Sequence, residues 1–171
     1  HKALAFARDE QVYLGAENGM LQSLDADRTG SWHLRNVWQG DAAVRGIAVS
    51  QERQLLVLVD AQNRARLLDS TDGRIGAAIL ELPDAVVDIA FSPSESRVIF
   101  RTARWIHRAL VSPGGLIRVD ALRAPTALGG SKMVFDLQYD EPANDGHISD
   151  QSGDRVLILS RDSGFAELAE L

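Results

Sequence analysis

"VYLGAENGMLQSLDADRTG", residues Val12–Gly30, reads as a short β-type run, a turn on Asn18-Gly19, a second β-type run ending at Leu24-Asp25, and a closing Thr29-Gly30. A single hairpin of this kind says little, but recurrence at a fixed period decides the architecture of the chain. The pattern does recur. "KALAFARDEQ" (Lys2–Gln11), "RGIAVSQERQ" (Arg45–Gln54), "VDIAFSPSES" (Val87–Ser96) and "FDLQYDEPAN" (Phe135–Asn144) share an alternating run followed by a polar turn, anchored at Leu4, Ile47, Ile89 and Leu137. In the second half of each unit Leu24, Leu68, Leu110 and Leu159 align, and Gly30, Gly73, Gly115 and Gly164 follow. The period of about 43 residues is that of a four-stranded β unit and far from the roughly 34 of helical tandem repeats.

Local composition agrees with strands. "LLVLV" (Leu55–Val59), "RVIF" (Arg97–Phe100) and "RVLIL" (Arg155–Leu159) are short aliphatic runs bounded by Asn, Asp, Ser or Gly. The helix-like "SGFAELAEL" (Ser163–Leu171) falls where the period demands a strand and is read as one. Trp32, Leu34 and Trp38 are spaced by two and four, which places them on one face of an outer strand.

The 171 residues carry 24 acidic and 18 basic side chains for a net charge of -6, with 45% hydrophobic and 25% charged residues. That is the composition of a globular domain rather than a disordered one. The acidic balance argues against a nucleic-acid binder or a protein of anionic membrane surfaces. No apolar run is long enough for a helical membrane span. With no cysteine, there is no disulfide framework and no thiolate metal site; this fits a reducing cytoplasm, the expected location, as well as a cysteine-poor extracellular protein. A chain that begins in mid-pattern at His1 without Met is expected to be part of something larger.

The units resemble WD-repeat β-propeller blades. "IAFSP" (Ile89–Pro93) matches the family's A-F-S-P strand end, and "GAENGMLQSLDADRTG" matches the turn, third-strand and T-G signatures with Leu24 where the family has Trp; the Gly-His pair and the Trp-Asp end are missing. The resemblance implies an all-β propeller of about four four-stranded antiparallel blades, at residues 1–43, 44–86, 87–132 and 133–171. It further implies a bacterial multidomain signalling protein in which such a domain is a non-catalytic interaction or sensing scaffold. Four blades leave apolar end faces, to be covered by missing blades of the same protein or by a second copy.

Candidate sites are few. The third unit replaces turn residues with "RTARWIH", putting Arg104 beside Trp105, with Arg101 and Arg108 adding positive charge. Arg next to an exposed Trp is the composition of a protein-binding hot spot, so Arg101, Arg104, Trp105 and Arg108 form the expected partner site. The alternative is an enzyme or small-ligand site built from Lys2, Arg45, Asp88 and Asp136 at the starts of the first strands. Ser92 and Ser94 lack a G-x-S-x-G elbow and read as turn caps. The four His residues (His1, His33, His107, His147) form no zinc motif, and the acidic stretch Tyr139–Asp154 lacks two ligands of a calcium loop, so neither metal nor cofactor is expected.

Overall fold

The segment Leu55–Asp60, "LLVLVD", is apolar without alternation, and such a strand is stable only where both its faces are covered. The structure, a computed structural model, describes residues 3–7, 11–27, 29–92, 95–123, 132–135, 155–159 and 166–170. Every regular element among them is a β-strand. The first sheet is a meander of β1 (Ala3–Phe6), β2 (Val12–Gly15), β3 (Met20–Ala26) and β4 (Trp32–Gln39). A second meander follows: β5 (Val44–Val49), β6 (Leu55–Asp60), β7 (Arg64–Asp69) and β8 (Ile75–Glu81). A third comprises β9 (Val86–Phe91), β10 (Arg97–Thr102), β11 (Trp105–Ser112) and β12 (Gly115–Arg123). Finally β13 (Lys132–Phe135), β14 (Arg155–Leu159) and β15 (Ala166–Glu170) form a three-stranded antiparallel sheet. The strand reading of the C-terminal segment holds, since Ala166–Glu170 pairs with β14.

The expected ring of separate four-stranded blades does not form, and the WD-repeat identification is corrected with it. The second and third meanders join as one eight-stranded sheet in the order β5-β6-β7-β8-β12-β11-β10-β9. The join is parallel, at Gly115 opposite Ala78, with the Ala78 amide donating to the Gly114 carbonyl at 3.0 Å. Glycine permits this approach. A Cβ on Gly76 would lie 2.8 Å from the Gly115 Cα, and Gly115 itself has φ +126°, a conformation that side chains disfavour. At the other end of the sheet β5 and β9 lie together, so that a Cβ on Gly46 would stand 2.6 Å from Ile89 Cδ1. The result is a nearly closed, barrel-like sheet.

Its interior is one apolar cluster, including Val57, Val59 and Leu67 from one half and Val98, Phe100 and Leu116 from the other. The outer face of β5–β7 is buried too, because Leu56, Leu58 and Leu68 pack on Tyr13, Leu21 and Val37 of the first sheet. These two layers explain the continuous apolar run of β6. Tyr13 also reaches across the layers, with its hydroxyl 2.9 Å from Gln11 Oε1 and 3.2 Å from the Ser70 carbonyl.

Two sequence alignments shift by one residue. The register of β3 on β4 slips between Leu21 and Gln22, so Trp38 turns to the side of Leu21 while Trp32 and Leu34 stay on the opposite face. The expected common face of these three residues is therefore split. On β11 the register with β10 sets Ala109 opposite Val98, so Ala109, not Leu110, takes the position of Leu24 and Leu68; Ala109 is buried and Leu110 is 40% exposed. A one-residue slip reverses every side chain beyond it.

Candidate functional site

At one end of the barrel-like sheet lie the β6–β7 and β10–β11 turns and the starts of β5 and β9. The β10–β11 turn is fixed by Thr102, which is fully buried. Its Oγ1 accepts from the amides of Trp105 at 3.0 Å and Arg104 at 3.4 Å, and lies 3.2 Å from the Trp105 carbonyl. This hydroxyl-centred turn holds Arg104 and Trp105 outward, with Trp105 38% exposed.

The four residues expected to form the partner site divide into two pairs. Arg104 and Trp105 stand together on the turn. Arg101 is buried on β10 opposite Asp88 of β9; burial lowers its guanidinium pKa, and Asp88 pulls the other way. Arg108 is half-buried and forms a two-point ion pair with Asp120, its cross-strand neighbour on β12, with Nε 2.6 Å from Oδ1. The arginine holds the Asp120 carboxyl below the usual carboxylate range. Arg101 and Arg108 thus act within the sheet, and the exposed patch is smaller than the sequence suggests.

Beside the turn, a groove of about 440 Å³ is lined by Arg45, Val59, Asp60, Ala61, Asn63 and Val86. It adjoins a cavity of about 240 Å³, where Arg45 meets Leu4, Ile47, Asp88 and Ile89 at the approach of β5 to β9. Arg45 and Asp88, two members of the expected channel site, therefore line one cavity, while Lys2 and Asp136 lie outside the described residues. One wall of the groove is held by a buried carboxylate. Asp60 is fully buried, accepts from the amides of Gln62 at 2.9 Å and Arg64 at 3.1 Å, and pairs with Arg64 Nε at 2.7 Å. Arg64 also bonds Asp41, which lowers the Asp41 carboxyl and raises the guanidinium. Such a groove can hold a small polar group against the exposed Arg45.

Sequence reasoning missed three polar features. The buried Glu95 carboxylate accepts from Ser50 Oγ and from the amides of Gln51, Glu52 at 3.0 Å and Arg53 at 3.1 Å, tying the β5–β6 loop to the β9–β10 loop. His107 is buried, its Nδ1 3.2 Å from Arg118 Nη2 and its Nε2 without a hydrogen-bond partner; burial first and Arg118 second lower its pKa. The Asp60–Arg64 pair could have been suspected from its i, i+4 spacing, but in a β hairpin that spacing means a turn, not a helix face. Ser92 is a buried turn residue whose Oγ accepts from the Arg97 amide at 3.2 Å; Ser94 and the acidic stretch 139–154 lie outside the described residues, as do His1 and His147. Among the described residues no group of three His, Asp or Glu could hold a metal ion, and no helix is long and apolar enough to cross a membrane.

No family model matches the chain, and no curated protein matches it. Solved structures do. Kuenenia stuttgartiensis hydrazine synthase aligns with a TM-score of 0.70 at 11% identity, over 99% of this chain and 45% of that one. The computationally designed proteins Ika8 and Ika4 align at 16% identity with TM-scores of 0.65 and 0.63, again over 99% of this chain. The chain spans 45% of Ika8 and 90% of Ika4. At these identities the likeness shows an all-β fold alone, and it carries no WD-repeat assignment.

Proposed function

We propose that the protein is a non-catalytic binding module that takes a protein partner on the end of the barrel-like sheet carrying Arg104 and Trp105. The observation behind this reading is the pairing of an outward-held Trp with an exposed Arg on a turn fixed by a buried hydroxyl. A large aromatic side chain already held in place loses little entropy on docking, and Trp and Arg are the residues most enriched among those that dominate binding energy. The adjoining groove at Arg45 offers room for an acidic side chain of the same partner. An Arg104→Ala, Trp105→Ala double variant is expected to keep the circular dichroism and melting curve of the parent while losing at least tenfold in partner capture from a cell lysate. Unchanged capture removes this site.

A second reading is favoured by the meeting of two cavities at Arg45: the groove itself takes a small acidic ligand. An Arg45→Ala variant separates the two, because it would abolish small-anion binding but only reduce partner capture.

A further inference from the structure

The groove at the Arg45 end of the barrel-like sheet carries two polar side chains with no internal partner. Among the described residues nothing bonds the exposed Arg45 guanidinium, although Arg45 lines both cavities at that end. On the same groove, Asn63 closes the β6–β7 turn in the left-handed region at φ 60°. Its backbone is fully engaged, the amide donating to the Asp60 carbonyl at 3.0 Å and the carbonyl accepting from the Leu82 amide at 3.0 Å. No described residue bonds its carboxamide.

The remaining lining groups need no partner. The Asp60 carboxylate is fully buried and already accepts from the amides of Gln62 and Arg64 and from Arg64 Nε. Val59, Ala61, Ala85 and Val86 supply short apolar walls. A ligand therefore meets one positive charge, one carboxamide and an apolar surround.

We infer that the groove takes an α-amido carboxylate, the unit formed by a carboxylate and the neighbouring amide at the end of an acylated amino acid. This rests on the reading that the groove holds an acidic ligand, and it says which acid. Charge selects the carboxylate. One guanidinium matches one negative charge and can pair with both carboxylate oxygens. A phosphate dianion would keep an unmatched charge close to Asp60 and Asp88, in a protein whose net charge is -6. The carboxamide selects the amide: its acceptor oxygen and N–H donors complement the one N–H and one C=O of a peptide group, and a plain acid would leave it unpaired when the groove fills. The walls select a small apolar side chain, since about 440 Å³ lies toward the lower end of the roughly 300–1,000 Å³ of small-molecule pockets.

Such a unit occurs in free acyl amino acids and at the C-terminus of a protein. Backbone amide chemical shifts, followed by NMR on adding N-acetyl-Ala-Ala, test the class. Saturable shifts are expected at Ala61, Asn63 and Val86, with a dissociation constant on the order of 1 mM. The same compound capped as its C-terminal amide, and the Arg45→Gln variant, should each bind at least about tenfold more weakly, and inorganic phosphate should bind no more tightly than acetate. Asn63→Gly keeps the positive φ; it is expected to weaken N-acetyl-Ala-Ala about fivefold while leaving acetate unchanged. Arg53→Gln, which removes an exposed arginine beside the opposite end of β6, should bind like the parent. A hexapeptide ending in Ala-Ala that binds more tightly than N-acetyl-Ala-Ala assigns the ligand to a protein C-terminus, and one that binds no better assigns it to a free acyl amino acid; both support the class. Acetate binding as tightly as N-acetyl-Ala-Ala, phosphate binding more tightly than either, or Asn63→Gly weakening acetate and N-acetyl-Ala-Ala alike overturns the inference while leaving an acidic ligand in the groove. Absence of shifts with every one of these anions overturns that underlying reading as well.

Discussion

Glu95 sits in the left-handed region at φ 53°, a conformation that costs a non-glycine residue about 1 kcal/mol. Its carboxylate repays this by collecting one hydroxyl and three amide donors from residues 50–53. Loss of these bonds leaves a loop of partly buried amides unsatisfied, so Glu95→Ala is expected to lower stability by about 2–4 kcal/mol, measured by urea unfolding. Arg64 is a parallel case, since it neutralises a carboxylate with no solvent access. Arg64→Met should destabilise by about 3 kcal/mol, and the Asp60→Asn, Arg64→Met double variant should recover part of the loss, because the stranded charge is removed with its partner. The sequence gives no sign that Glu95 is special, since its partners lie more than 40 residues away. The Asp-x-Thr turns are different. Asp27 accepts from the Thr29 amide at 2.8 Å, and Asp69 from that of Thr71 at 2.7 Å, both within a local motif that can be read directly from the chain.

At the scale of the strand, alternation, turns and spacing were legible because each depends on neighbours in sequence. Bulges were not. Whether Trp38 or Leu110 keeps the face of its predecessors depends on which residue of the preceding strand it meets. β11 also carries His107 into the barrel-like interior beside Phe100, its cross-strand partner. Burial lowers its folded-state pKa, whereas the unfolded chain has the ordinary value near 6.5. The unfolded state therefore takes up a proton first as the solution is acidified, and the contribution of His107 is full above about pH 6.5 and declines below it. Urea midpoints should fall between pH 7.5 and 5.5, and His107→Gln should flatten that part of the profile even if it lowers stability overall.

At the scale of the molecule, the eight-stranded sheet depends on the seam between β8 and β12. Gly76→Val would force a Cβ toward backbone 2.8 Å away, so the seam is expected to open at a cost of about 1–3 kcal/mol. Hydrogen exchange at the Ala78 amide, which bonds Gly114, should then accelerate while β6 amides stay protected. Equal loss of protection in both would mean that the sheet unfolds as a unit and the seam is not separable. By itself the chain determined the all-β class, the hairpin period and most strand positions, because backbone preference and hydrophobic alternation act over a few residues. Only the tertiary structure decided that two meanders merge and that Arg101 and Arg108 stand opposite carboxylates on neighbouring strands. Those outcomes depend on close approach at glycine and on charge pairing between strands, and a one-residue register shift reverses them.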